Sequence, residues 1–568
     1  MPQETNLWKQ RLNRRISRRG LLASSASIGA SAAAISLTGC GRGEKSQGTP
    51  AASPAEGAPK RGGQRELYYA SGWNIDPQQD FNMGANVARL VYSHMFYERM
   101  DTGETVLLAA KNIEQPDELS YIFSLRDDIH FHDTPDIASK YPGLAGRLAT
   151  AEDVKYAITR MRDKLTGGAG RDYVVNRMAS VETVDNLTLK IVNNAPFSWT
   201  LSPMSLGTGM ICLIIPHEVV EKEGDLKSAA VGSGPYMLDY ANQTQGARFI
   251  RNPNYFVPDE PFIDSIRYRI INDAETGEAA FRSGEIDSFV ATNRPQADAI
   301  ASIPGTYQIK EADLQFAMFG VNTRRPPWND ERVVQALHFA IDRDFMILGL
   351  EGGRSGEDPG EYGKWCGALP WGLEAYSLSQ DELHELCAPH DVGNAKALLA
   401  AAGYESIDVT LRHISTVPQQ AALAEMIATQ LREAGINAKL DPMDIPTYIS
   451  KVPLQFDFEM NSRYNIAFLS PEQPLRIFLT TGGQGAGSEW GLSYPDVDAA
   501  FDDIGRTFDA EERREKVKEV QRLIPRKYAP CIFLYAPYMY TQYRDFVKGL
   551  QVGTGQAALV NYRIWLDK

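Results

Sequence analysis

From about residue 65 onward the chain alternates short β-rich runs with amphipathic helical stretches, and no segment repeats. That pattern points to an α/β fold with mixed sheets rather than a barrel of regular repeats. "TVDNLTLKIVN" alternates apolar and polar residues around an Asp185-Asn186 turn, which is a hairpin pattern. Thr150-Ala-Glu-Asp153 reads as a capping box, after which Val154, Ile158, Met161 and Leu165 form one helical stripe. Asn329 is placed to cap a helix bearing Val334, Leu337 and Ile341. Pro418 opens another, with Leu423, Ile427 and Leu431 inward and Gly435 as its stop. "INAKLDPMD" returns as a strand, Asp509 starts a late helix through Val517, Val520 and Ile524, and "CIFLYAP" reads as a buried strand.

The first forty residues are of another kind. Lys9, Arg11, Arg14, Arg15, Arg18 and Arg19 precede an uncharged run from Leu21 to Gly39 that is mostly Ala, Ser and Gly. A membrane-spanning helix needs about 20 strongly apolar residues, so this run reads as the core of an export signal. Ser17-Arg18-Arg19-Gly20-Leu21-Leu22 resembles a twin-arginine export signal. Leu37-Thr38-Gly39-Cys40 resembles a lipoprotein cleavage site, which implies acylation of Cys40. The stretch after Cys40, rich in Gly, Pro, Ser and Ala, is a flexible spacer. Setting aside residues 1–39 removes six basic and one acidic side chain and deepens the net charge from −14 to −19. A surface of that sign repels nucleic acid and anionic lipid.

Catalytic and metal motifs are sparse. "VGSGPY" (Val231 to Tyr236) lacks the lysine and hydroxyl of a phosphate loop, and Pro235 removes an amide donor, so it reads as a tight turn into a strand. His130-Phe-His132 puts two imidazoles on one strand face, but no third ligand follows at a telling spacing, and a structural role is expected. No G-x-S-x-G or H-E-x-x-H occurs. Neither an enzyme nor a cofactor or metal site is expected. Cys212, Cys366, Cys387 and Cys531 form no C-x-x-C pair. Cys366 and Cys387 lie close together in a loop-rich stretch and are expected to bridge, the alternative being two free buried thiols.

Several phrases, in order, carry a resemblance: "YIFSLRDDIHFHD" with "TAEDVKYAITRM", then "VGSGPYMLDY" and "RNPNYFVPDEPFIDSIRYRIINDAETGEAAFRSGEIDSF", then "FGVNTRRPPWNDERVVQALHFAIDRD", "LREAGINAKLDPMDIPTYISKV" and "FVKGL". Together they resemble the extracellular solute-binding proteins of the oligopeptide, dipeptide, nickel and opine class, family 5, which feed bacterial ABC importers. The resemblance runs from about Arg65 to Lys568. It implies a periplasmic-binding-protein-like fold of two α/β lobes enclosing a ligand crevice: lobe one at 64–320, lobe two at 321–533, and a C-terminal return to lobe one at 534–568, after the signal at 1–39 and the spacer at 40–63. It implies a monomer, exported and tethered by Cys40, delivering a peptide-like or anionic solute to membrane permease subunits.

Two departures stand out. The insert "PDIASKYPGLAGRLA" separates His-Asp from Thr-Ala-Glu-Asp and is expected to be a surface loop. Peptide binders of this class tend to carry Trp-x-x-Asp-Tyr where this chain reads Asn461-Ser-Arg463-Tyr464-Asn465, with no acid to hold a peptide amino terminus. Arg463 suits an anionic ligand group, or else pairs with a protein acid at the surface. Trp73, Trp371, Tyr464 and Trp490 are candidate crevice walls, each also compatible with ordinary core, and His413 is a further candidate. A secreted hydrolase and a non-transport receptor or chaperone on the same fold are the rival readings. The signal reading predicts that Cys40→Ala leaves the protein unlipidated and that Arg18→Lys with Arg19→Lys blocks export. Unchanged membrane fractionation of the cysteine variant would contradict it.

Overall fold

The computed structural model describes residues 57–69, 75–79, 83–98, 104–165, 170–206, 210–227, 229–242, 244–466, 471–481, 489–491, 493–550 and 563–568. The export signal, Cys40 and Trp73 lie outside them. Among the described residues no helix is long and apolar enough to cross a membrane.

The largest sheet has eight strands and is organised by one of them, Cys531–Arg544. The first part of that strand pairs antiparallel with Gln315–Val321 and Gly363–Trp365, and its second part with Thr306–Ala312 and Ser288–Ala291. Beyond Gln315–Val321 the sheet continues through Met460–Ile466 to Ile407–Ile414 and Ile436–Met443. The last two are parallel and joined by the helix Pro418–Glu433, a βαβ unit. Two four-stranded sheets and two two-stranded ribbons complete the framework. In one four-stranded sheet, Gln64–Tyr69, Ser265–Ile270, Gly246–Arg251 and Tyr236–Asn242 lie side by side; in the other, Ala110–Glu114, Ser120–Leu125, Thr188–Asn193 and Met178–Asp185 do.

Strand alternation divides the large sheet between two cores. Ala317, Phe319 and Val321 pack with Leu337, Leu411, Leu423, Ile427 and Leu431 under the helices. Phe316 and Met318 face the other way, into a core shared with Phe478, Phe533, Phe123, Ile158 and Tyr236.

Local signals hold in detail. Thr150 opens the helix Ala151–Asp163 with its N–H donating to Asp153 Oδ2 at 2.8 Å. Pro418 stands at the first position of its helix, and Gly435 after it has φ +93°. The hairpin at Asp185 forms, with the Leu187 N–H donating to Asp185 Oδ1 at 2.8 Å. The cap of Glu331–Ala340 is Asp330, one residue after the expected Asn329, because its carboxylate accepts from the Arg332 N–H at 2.9 Å. The insert is more than a surface loop: Thr134 caps a helix over Pro135–Lys140, and Ile137, Tyr141 and Leu144 are buried.

The "VGSGPY" and "HFHD" phrases interlock. A Cβ on Gly232 would stand 2.0 Å from the Val91 carbonyl oxygen, and one on Gly234 2.6 Å from the Val91 carbonyl carbon. Only glycine permits that approach of backbone to backbone. His132 ties the turn down: the Gly232 N–H donates to Nδ1 at 3.3 Å, and Nε2 lies 3.1 Å from the Gly234 carbonyl oxygen. This fixes the neutral tautomer with the proton on Nε2. Burial pushes the imidazole pKa down to about 4. His130 instead sets Nδ1 3.0 Å from the Gly146 carbonyl oxygen. Both histidines are thus engaged by backbone carbonyls, His132 in the interior and His130 at the surface. Gly232→Ala is expected to lower the unfolding free energy by about 2 kcal/mol or more, read by urea denaturation. An unchanged midpoint would contradict the close approach.

Candidate functional site

The expected wall residues fall in three places. Trp371 is half-buried and packs edge-on against Tyr538, ring centroids 6.4 Å apart. The next residue is pressed onto the chain crossing: a Cβ on Gly372 would meet the Asp313 carbonyl oxygen at 2.7 Å. Asp313 in turn donates its N–H to the Pro537 carbonyl oxygen at 3.3 Å. Trp371 therefore belongs to the point where the chain passes between the two parts of the eight-stranded sheet.

Arg463 and Trp490 form the second group, on the sheet face opposite the Pro418–Glu433 helix. Along Met460–Ile466, Met460 and Tyr464 enter the helix-covered core, whereas the Arg463 guanidinium lies over the rings of Phe478 and Trp490, 5.7 and 5.6 Å from their centroids. Of the two fates open to Arg463 from sequence, the structure shows a protein acid, and in the interior rather than at the surface. Nη1 donates to Glu489 Oε1 at 2.6 Å and Nη2 to Oε2 at 2.8 Å. Asn461 Oδ1 accepts from Nη1 at 3.2 Å and from the Tyr448 hydroxyl at 3.0 Å. Glu489 is 0% exposed and Arg463 8%. Burial alone disfavours the guanidinium charge, but the Glu489 carboxylate outweighs it and holds Arg463 protonated. The fork expected to meet a ligand anion is engaged by the protein.

Tyr464 and His413 make the third group, on the helix-covered face. His413 is buried, and burial lowers its pKa. The Tyr464 and Tyr535 hydroxyls are 2.5 Å apart, and Tyr535 donates to Glu351 Oε1 at 2.7 Å. This chain of hydroxyls ends on a carboxyl that burial pushes up to about 7.

The expected Cys366–Cys387 bridge is not formed: all four described cysteines are free thiols, with Cys366 buried and Cys387 partly exposed. Burial raises the Cys366 pKa, and Cys387 is near enough to add to the shift. Asp153, His217 and Glu218 offer ligand atoms within 4.8 Å of one another, but Arg147 already donates to Asp153 Oδ1 at 2.7 Å and to Glu218 Oε2 at 3.1 Å. The guanidinium supplies the positive charge a cation would bring.

The motif series matches a family model, bacterial extracellular solute-binding proteins, family 5 (middle), over residues 105–486. The chain belongs to this family. Among the relatives of this family 5 chain is a probable di/tripeptide-binding protein 5 of Pseudomonas aeruginosa, 24% identical over 464 residues, covering 77% of this chain and 82% of the relative. The glutathione-binding protein GsiB of Salmonella typhi is 25% identical over 359 residues, covering 63% of this chain and 65% of the relative. Among solved structures, the periplasmic binding protein DppA of Helicobacter pylori with peptide STSA aligns at TM-score 0.72 and 22% identity over 90% of this chain and 99% of that one. The binding protein AgaA from A. tumefacien R10 with agropinic acid aligns at TM-score 0.72 and 22% identity over 89% and 99%. These likenesses establish the periplasmic-binding-protein-like fold.

Sequence reasoning missed Glu489, Tyr448 and Glu351. Glu489 reaches Arg463 across 26 residues of sequence, with no periodicity to announce it, although Asn461 and Arg463 two apart on one strand marked a shared face. The Glu351 carboxyl, ordinarily near 4.5, titrates near 7 in the fold. The folded state therefore holds its proton more tightly than the unfolded chain, and that stability is full below about 4.5 and lost as pH rises through about 7. Between about pH 5 and about pH 8 the wild type is expected to lose about 2 to 3 kcal/mol relative to Glu351→Gln. Urea unfolding at both pH values measures it, and parallel pH profiles would contradict the assignment.

Proposed function

We propose that the chain is an exported receptor, tethered through acylated Cys40 after twin-arginine export, that captures a small solute between two lobes and delivers it to the membrane subunits of an ABC importer. The observation that carries this reading is the strand Cys531–Arg544, whose two parts pair with different groups of strands on either side of a crossing where the Asp313 N–H donates to the Pro537 carbonyl oxygen. A chain crossing between two groups of strands is where hinge closure around a ligand would act. Lobe one is assigned to 64–320 and 534–568, and lobe two to 321–533. The family consists of binding proteins, and no step of chemistry is assigned to the chain; it is proposed to release its solute unchanged.

The relatives' names speak of di- and tripeptides and glutathione, and the solved neighbours hold a peptide or agropinic acid. A peptide-like or anionic solute is the class proposed here. Trp371, Trp490 and Arg463 are its proposed contacts together with Trp73, an anionic group of the solute competing with Glu489 for the Arg463 fork; Tyr464 and His413, on the opposite face of the sheet, are left out of the set. Arg463→Ala alone is a poor test. It strands Glu489 as a buried, unpaired charge, which costs about 3–5 kcal/mol. Arg463→Met with Glu489→Gln removes both charges and keeps the volume.

A thermal-shift screen of peptides, opines, organic acids and metal chelates is expected to find a solute that, at about 100 times its dissociation constant, adds about 2.7 kcal/mol of stability. The double variant is expected to lose that shift for an acidic solute and keep it for a neutral analogue. Equal shifts would remove Arg463 from the site, and conversion of the solute by purified protein would overturn the receptor reading.

A further inference from the structure

One arginine on the outer face of a small sheet is left without a counter-ion. In Ser265–Ile270, Ile266 and Tyr268 turn into the core, so Arg267 and Arg269 lie on the opposite face. Arg267 stands between Arg248 on Gly246–Arg251 and Glu66 on Gln64–Tyr69, and the Glu66 carboxylate is taken by Arg269 rather than by Arg267. Arg248 is answered by Asp239 at 3.0 Å, and Arg269 by Glu66 at 3.1 Å and Glu285 at 3.2 Å. Arg267 makes no ion pair among the described residues, and its Nε–H is buried without an acceptor.

The same guanidinium lines a groove of about 740 Å³ between the turn bearing Thr244 and Gln245 and the helix Ala274–Ser283. Thr276 adds a hydroxyl, and Ile270 and Ile271 add aliphatic surface. Arg269 and Glu285 also line it, but they compensate each other. Of the charged side chains lining the groove, Arg267 is the one without an ion pair among the described residues. None of its lining residues belongs to the Arg463–Glu489 cluster or to the Trp371 crossing.

We propose that this groove is a second binding site, for a small organic oxyanion with a short aliphatic body. A guanidinium fork meets carboxylate and phosphate oxygens in a bidentate way, and the neighbouring isoleucines take apolar carbon out of water. Carboxylate and phosphate monoester share this chemistry, and the test separates them.

Calorimetry on the full chain would use hexanoate, hexyl phosphate and inorganic phosphate as probes. One of the two hexyl probes is expected to bind at least about tenfold more tightly than inorganic phosphate, which identifies the head group and shows the aliphatic contribution. Arg267→Gln is expected to weaken that probe about tenfold or more, and Arg248→Gln, whose charge Asp239 already holds, by less than about twofold. Arg267→Lys, which keeps the charge and loses the fork, is expected to fall between them and guards against a folding defect in the glutamine variant. Crevice binding of the transported solute is expected to be the same in Arg267→Gln as in wild type, so failure here leaves the receptor reading standing. No saturable binding of either hexyl probe, inorganic phosphate binding as tightly as both, or equal affinities for wild type and Arg267→Gln would overturn the proposal.

Discussion

The pairing of Cys531–Arg544 with four other strands is the constraint on which the rest of the architecture depends. Fourteen residues of one strand hold Gln315–Val321 and Gly363–Trp365 along one stretch and Thr306–Ala312 and Ser288–Ala291 along the other. Because the strand is continuous, both groups of strands are hydrogen-bonded to one backbone. Because successive side chains alternate, the same ladder distributes apolar residues to two cores at once. Phe533 enters the core shared with the N-terminal segments and Ile532 and Leu534 the one beneath the helices, and a register shift opposite Ala317 and Met318 sends Tyr535 to that second core too.

Two interior arginines are matched by a carboxylate as they are buried. Arg463 and Glu489 form a two-point pair, as do Arg160 and Asp76, where Asp76 accepts from both terminal guanidinium nitrogens at 3.2 and 2.5 Å. Of the four buried histidines, His94, His132 and His338 are held neutral by burial, their pKa values pushed down to about 3, 4 and 4, and burial lowers that of His413 as well. Glu98 and Glu351 are moved the other way, each to about 7. On acidification the histidines withdraw stability between about 6.5 and 4, because the unfolded chain takes up protons that the fold refuses. The two carboxyls oppose that trend, since the fold holds their protons more tightly than the unfolded chain does.

Much of the fold was legible because local chemistry and tertiary structure agree at particular residues. Thr150, Pro418 and Asp509 open helices where their side chains or rings require it, and the buried stripes Val154–Ile158–Met161 and Leu423–Ile427–Leu431 follow the helical period. The glycines of "VGSGPY" were readable as a turn, but not their reason, which is the backbone of Val91, more than a hundred residues away in sequence. The site was less legible for the same cause. Arg463 announced a need for an anion, and nothing local said that Glu489 supplies it. Two aromatic candidates, Tyr464 and Trp490, sit on opposite faces of one sheet, a distinction that follows only from the register of Met460–Ile466 against Gln315–Val321. Spacing likewise suggested a Cys366–Cys387 bridge, whereas the fold keeps both as thiols.

Native mass spectrometry of the freshly purified full chain, followed over hours with a candidate solute, tests the central claim most directly. The account predicts one solute held per chain, released on denaturation with its mass unchanged. A chain that takes up none of the peptide-like or anionic solutes offered, or that alters the mass of the one it holds, would contradict it.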